Sequence, residues 1–446
     1  MARTEKQSVL GLAAALAAGR TTSRALVEEA LANIADRATF ISLAPNARDI
    51  ADAQDRLRRA GYVLSPLAGL PVSVKDLFDI AGERTLAGSK ALDDRPPATE
   101  DAAIVARLKA AGAVIVGRTN MTEFAYSGVG INPHYGTPGN PFDRTRVPGG
   151  SSSGAAVSAK DGSSVVAIGT DTGGSVRIPS AFCGLVGFKP TARRVPTAGA
   201  IPLSTTLDSV GPLASSVACC AIADAVLAGE WPTVPPVRGV AGLRLAVPQT
   251  MVLGGLDDVV AAAFSRALSS LSRAGAKVTD LALGELADYT RINSTGGFSP
   301  PEAFAWHREL LERRGADYDP RVRRRIEGGR GMSAADYVTL VAERARFIAR
   351  IDAATEGYDA LVWPTVPIVA PPIAALADDS EFTRLNLLIL RNPAIVNFLD
   401  RCAITLPVAR AGEAPVGLML VGRHGEDRTL LGMALGVEAA LANGLS

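Results

Sequence analysis

LPVSVKDLFDI at residues 70–80, AAIVARLKAAG at 102–112 and AVIVG at 113–117 decide the fold class. The first run is short, apolar and β-branched. The second spaces its apolar residues as a helix does, and the third is again a continuous apolar run. Strand, helix and strand in that order predict an α/β layer architecture with buried strands. SSVVAIG at 163–169 adds a strand of the same kind, after a helix that starts in the preceding serine-rich segment. Further sheet material is expected at GLRLAVPQ near Leu243, DALVWPTVPIV near Leu361, AITLPVA near Leu406 and VGLMLVG near Leu418.

Outward from this centre, the first sixty residues read as helices. Leu26, Val27, Ala30, Leu31 and Ile34 recur at helical spacing, with Thr21, Thr22 or Ser23 as cap. Residues 285–355 are helical and charge-rich, and read as a cap or insertion over the sheet. WPTVPPVRG at 231–239 reads as a surface connection, because strands lie on both sides of it. One large domain over 1–446 is expected, with 67–218 as its core segment.

Composition narrows the function. The 446 residues are 48% hydrophobic and 20% charged, as in a globular enzyme with a sizeable core. A formal charge of +1 leaves no electrostatic footprint for nucleic acid. The basic run Arg323, Arg324, Arg325 reads as a solvated helix face. Cys183, Cys219, Cys220 and Cys402 lack disulfide or ligand spacing and read as buried thiols. Arg3 and Lys6 before VLGLAAALAAG imitate a signal peptide, but Glu5 interrupts the basic region and the pattern runs on into an amphipathic helix. With no apolar stretch of about 20 residues, a cytoplasmic protein without a membrane partner is expected, possibly a homodimer.

Three short segments carry chemistry. GTDTGGSVR at 169–177 places Ser175 after two glycines, where successive backbone N–H groups can curl round an anion, with Asp171 and Arg177 holding the turn. It also fits an ordinary strand-to-helix turn. PGGSSSG at 148–154 fits a flexible linker or a strained backbone packed under a site. Lys75 sits among Val72, Val74, Leu77 and Phe78. Burial there would lower its pKa toward neutrality and make it a base, whereas at a strand end it would reach solvent or pair with Asp76 or Asp79. Together the segments can supply nucleophile, relay, oxyanion cradle and base without a histidine.

PVSVKDLF, GRTNMTEFAYSG, NPHYGTPGNPFD, PGGSSSGAAVSA, GTDTGGSVRIPSAFCGLVGFKP and TTLDSVGPLA, almost continuous from Leu67 to Ala218, resemble the amidase signature family. The resemblance implies a mixed β-sheet core wrapped by helices. It also implies Ser175 as nucleophile, Ser151 on a cis peptide as relay, and Lys75 as base. The oxyanion hole would be the amides of Thr172, Gly173, Gly174 and Ser175, and no metal or cofactor is required. The segment matching NMTEFAYSG lines the acyl side of the pocket, which makes Phe124, Ala125 and Tyr126, with Ser151, the expected substrate contacts.

The commoner first motif of that family is GGSSGG. Here Ser153 replaces a glycine, and adjusted helix capping is the expected consequence. The replacement also creates a formal Gly-x-Ser-x-Gly at 150–154, the nucleophile elbow of α/β-hydrolase esterases, with Ser152 as nucleophile and His307 or His424 as base. His134 reads as a structural loop residue. The leading expectation is an amidase that cleaves a small or medium amide through an acyl-serine. The glutaminase component of a tRNA-dependent amidotransferase is the alternative, weakened by Ile178 where that component carries glutamine. A hydrolase of biuret- or allophanate-type ureido compounds is another.

Overall fold

The computed structural model describes residues 8–444. Arg3, Glu5 and Lys6 lie outside the described residues. One eleven-stranded sheet organises the chain. Its strands are β1 (Phe40–Leu43), β2 (Pro71–Lys75), β3 (Val114–Thr119), β4 (Val166–Asp171), β5 (Val186–Lys189), β6 (Ser209–Ala214), β7 (Arg244–Pro248), β8 (Lys277–Leu281), β9 (Ala360–Pro364), β10 (Ala403–Pro407) and β11 (Gly417–Val421). The spatial order is β1-β3-β2-β4-β6-β5-β10-β11-β9-β7-β8.

The sheet is mixed in a regular way. β3, β2 and β4 run parallel near one edge, and β9, β7 and β8 run parallel at the other. The strands between them pair antiparallel. The opening motif accounts for the first parallel group: β2 and β3 are joined through the helix Ala103–Ala110, because parallel neighbours need a crossover. β2 and β4 are buried along their whole length, which explains their unbroken apolar runs.

Two readings are corrected. The first sixty residues are not all helical, because β1 pairs antiparallel with β3 and forms one edge of the sheet. Ser153 caps nothing. It is the first residue of the helix Ser153–Asp161, which begins without a side-chain cap, and its Oγ donates to the Asn120 carbonyl at 3.4 Å. Thr22 does cap the helix Ser23–Ala32. Residues 231–239 lie outside helix and strand, mostly at the surface, with Trp231 exposed.

Helices cover the sheet. The helix Arg177–Cys183 is buried at every residue, wedged between the sheet and the long helix Asp379–Phe398. Between residues 285 and 355 lie the helices Asp288–Ile292, Ser299–Arg314, Pro320–Glu327 and Ala334–Ala354. All four cysteines are buried and free. Among the described residues no helix is long and apolar enough to cross a membrane.

Candidate active site

Two neighbouring parallel strands end at the same place. β2 closes on Lys75 and β4 on Asp171, and open α/β sheets bind ligands outside the carboxyl ends of such strands. After Asp171 the chain turns through Thr172–Val176 into the helix Arg177–Cys183. Gly174 has φ +124°, and a Cβ there would lie 2.6 Å from Pro393 and 2.7 Å from Ile178, so only glycine fits.

Asp171 holds this turn from within. Its carboxylate accepts the N–H groups of Gly174 (2.8 Å), Val176 (3.1 Å) and Arg177 (3.3 Å). The Arg177 guanidinium grips it at 3.0 and 2.8 Å, and Asn397 Nδ2 donates at 3.0 Å. Burial would raise the Asp171 pKa, but the Arg177 charge and hydrogen bonds outweigh it and keep the carboxylate ionised. The Gly174 N–H is therefore committed to Asp171. That corrects the expected cradle: among the described residues the amides of Thr172, Gly173 and Ser175 remain without a partner.

Lys75 is fully buried, with Nζ 2.7 Å from Ser151 Oγ and 2.9 Å from Thr170 Oγ1. It pairs with neither nearby aspartate. Asp76 is taken by Arg118 at 2.7 Å, and Asp79 binds Thr85 at 2.7 Å with Arg95 at 3.6 Å. Burial lowers the Lys75 pKa to about 7, against the opposing charges of Asp208 and Asp171. A neutral amine is thus available near physiological pH.

Ser151 is presented by a backbone clamped on three sides. The Gly150 N–H donates to Gly128, the Ser151 carbonyl accepts from Thr122, and the Ser152 N–H donates to the Ser175 carbonyl at 3.3 Å. The Gly150–Ser151 peptide is cis. A Cβ on Gly150 would lie 2.6 Å from the Gly130 nitrogen, which explains the missing side chain. Ser175 Oγ makes no hydrogen bond among the described residues and faces a cavity of about 300 Å³.

That cavity is lined by Thr172, Gly173 and Ser175 on one side and by Ala125 and Tyr126 on another. Phe124 and Ser151, both expected to contact substrate, are not among the lining residues. Phe124 and Ala125 both have positive φ, 49° and 60°, and this turn sends the Phe124 ring into the core. There it packs on His307, Tyr318 and Trp306 at centroid distances of 4.4, 5.0 and 6.2 Å.

The elbow alternative has no base. Ser152 Oγ is buried and bonds the Thr170 carbonyl at 3.3 Å. His307 is held by Tyr318 at 2.8 Å, with burial lowering its pKa to about 3, and His424 bonds the Asp400 carbonyl at an exposed position. His134 is the loop residue expected, bonded to Glu123 at 2.8 Å.

Three residues of the site escaped the sequence reading. Asp208 accepts from Thr172 Oγ1 (2.5 Å) and from the amides of Leu203 and Ser204. Burial pushes its pKa up to about 6 against those hydrogen bonds. It stands inside TTLDSVGPLA, a segment noted above without a role for the acid. Arg325 and Asn386 line the cavity. Arg323 and Arg324 are exposed as expected, but Arg325 is half-buried.

A mixed sheet of this order, with a buried lysine and two glycine–serine turns at the ends of adjacent strands, defines an α/β enzyme of the amidase signature type. The Amidase family model matches residues 20–431, and the chain belongs to that family. It is 39% identical over 406 residues to 2-amino-5-chloromuconic acid deaminase of Comamonas testosteroni, covering 89% of this chain and 87% of that one. It is 36% identical over 458 residues to one component of the glutamyl-tRNA(Gln) amidotransferase of Roseiflexus sp. (strain RS-1), covering 94% and 93%. The crystal structure of an amidase superposes with a TM-score of 0.88 at 36% identity, covering 97% of this chain and 99% of that one. The chain is accordingly a hydrolase-type enzyme acting on carbon–nitrogen bonds.

Proposed function

We propose that this enzyme hydrolyses a small carboxylic amide through an acyl-Ser175 intermediate, with Lys75 as base and Ser151 as relay. The observation that carries the reading is the burial of Lys75 against Ser151, 2.7 Å away, with its pKa lowered to about 7. A lysine can act as base at neutral pH only when burial lowers its pKa in this way, because a solvated lysine is protonated there.

In the first step Lys75 Nζ accepts the Ser151 proton while Ser151 Oγ accepts that of Ser175. Ser175 Oγ then bonds the amide carbon. The carbonyl oxygen takes the negative charge and rests on the free N–H groups of Thr172, Gly173 and Ser175. Collapse breaks the C–N bond, and the proton returns through Ser151 to the departing nitrogen. Water then attacks the acyl-serine by the same relay and releases the carboxylic acid.

A fluorophosphonate probe with peptide mapping tests the nucleophile. Label is expected on Ser175 in the wild type and nowhere in Ser175→Ala. Label on Ser152 would overturn the assignment. An ammonia-release screen across aliphatic, aromatic, ureido and glutamine amides tests the reaction class.

A further inference from the structure

We infer that the amide hydrolysed here bears a carboxylate on a short spacer, bound by Arg325 and Asn386 across the cavity from Ser175. The inference rests on the proposed amidase reading and names its substrate class.

Arg325 is the one charged side chain among the residues lining the cavity that Ser175 faces. It belongs to the helix Pro320–Glu327, which carries four arginines, and its neighbours all have carboxylate partners. Arg321 bonds Asp379 at 2.7 Å, Arg323 bonds Glu327 at 2.9 Å, and Arg324 reaches Asp379 at 3.8 Å. Arg325 has no such partner among the described residues. Its Nη1 donates to the Tyr126 carbonyl at 2.6 Å, and its guanidinium lies 5.2 Å from the centre of the Phe382 ring. These contacts fix the fork and leave Nε and Nη2 unused.

Burial lowers the Arg325 pKa, yet a guanidinium stays protonated inside proteins. Withdrawing a cation from water without an anion is costly. Asp319 acts on this guanidinium only through space, without a direct ion pair, and a ligand carboxylate offers the bidentate contact that the protein omits.

Asn386 supplies a second donor. Its Oδ1 accepts the Gly128 N–H at 2.8 Å and the Ser127 hydroxyl at 3.1 Å, which fixes the orientation of the amide. Nδ2 then has no partner among the described residues, although the side chain lines the cavity and is almost wholly buried. Two side chains with unused donors therefore line the same small cavity as the residues whose amides stand free near Ser175. Its volume of about 300 Å³ is at the low end for ligand sites, which limits the spacer to a few carbons.

The experiment compares carboxylated amides with methyl-ended partners of equal length: succinamate with butyramide, and glutaramate with pentanamide. The wild type should favour the carboxylated member by about 10–100-fold in kcat/KM, the worth of hydrogen bonds to a charged group. Arg325→Met should collapse that ratio toward one. Arg325→Lys, which keeps the charge and loses the fork, should fall between. Asn386→Ala should reduce the ratio by about 3–10-fold.

Calorimetry with succinate and glutarate on Ser175→Ala reads the subsite without turnover, and binding should vanish when Arg325→Met is added. Dicarboxylate binding without amide hydrolysis would sink the amidase reading and keep the anion site. Amide hydrolysis with no preference, or an equal loss on both members of each pair in Arg325→Met, would overturn the inference and keep the amidase. If Arg325→Met fails to fold, the Arg325→Lys ratio decides.

Discussion

The floor of the cavity and its far wall are built on opposite plans. The floor comprises the ends of β2 and β4 with the two serine turns, and most of its polar groups are committed to partners inside the protein. Asp171 alone accepts from Gly174, Val176, Arg177 and Asn397. The wall comes from residues 289–299, Arg325 and the helix Asp379–Phe398. It includes Gly296 and Gly297 at φ +110° and +73°, an exposed Leu387, and donors without protein partners. A floor tied by internal hydrogen bonds fixes reacting atoms beside the free amides of Thr172, Gly173 and Ser175, while a wall with unused side-chain donors selects what lies against them. Chemistry and selectivity should therefore respond separately to mutation.

The largest effect belongs to the floor. Ser175→Ala should lower kcat by at least about 10³-fold, since removing a nucleophile leaves only binding and the oxyanion cradle. Ammonia release checks the loss, and a thermal melt close to the wild type confirms that the fold survives. A loss below about tenfold would break the comparison at once, because the wall could then not be the lesser partner.

Lys75→Met is expected to cost nearly as much activity while raising stability. In the folded protein Lys75 gives up its proton at about pH 7, whereas in the unfolded chain it does so near 10.4. Between those values the unfolded state holds more protons, so this lysine's penalty on stability is full below pH 7 and fades as pH rises toward 10. Lys75→Met should therefore be more stable by about 1–4 kcal/mol near pH 6, with the gap narrowing at pH 9. The same titration gives wild-type kcat/KM an acid limb centred near pH 7, rising with pH as the amine becomes neutral. A flat profile from pH 6 to 8 would contradict the base assignment.

Arg177→Met should damage the floor through the fold itself. It leaves the Asp171 carboxylate buried without its cation, and such losses cost about 3–5 kcal/mol. Because Asp171 is depressed by this pairing, the stability it confers is present above about pH 4 and is lost as pH falls further. Chemical denaturation at pH 7 and pH 3 measures both effects. The variant should lose much of its disadvantage at the lower pH.

The same contrast explains what the sequence allowed to be read. The floor is made of contiguous segments whose glycines, serines and buried lysine are unusual together, so local reading singles out Lys75, Ser151 and Ser175 as candidates. Strands with mixed signals were missed. β1 is four residues among helices, β6 contains a glycine and a proline, and β8 is a largely exposed, charged edge. Phe124 was misplaced because its left-handed backbone cannot be read from residue type. Arg325 reads as surface because it stands beside two exposed arginines. Val322 and Ile326 are the buried residues of its helix, and at 3.6 residues per turn positions 323 and 325 flank that stripe equally, about 80° to either side. Helical spacing therefore does not separate Arg325 from the exposed Arg323. What the spacing lacked was knowledge of which element faces the cavity, and that depends on contacts hundreds of residues apart.

The smallest effect tests the wall. Gly296 lines the cavity at φ +110°, and a Cβ there would meet only Pro300 Cγ, at 3.6 Å. Gly296→Ala therefore introduces backbone strain with no steric clash, worth about 1 kcal/mol. Its backbone N–H donates within the same loop, to the Asn293 carbonyl at 2.9 Å, so the strain should shift the loop and change KM by about 2–5-fold. Turnover at saturating amide should stay within about twofold, and fluorophosphonate labelling of Ser175 should keep its wild-type rate. Steady-state kinetics on one amide, with labelling kinetics beside it, separates the two quantities. A hundredfold fall in kcat would mean that the glycine loop sets the floor's geometry, so that selectivity and chemistry here are a single device.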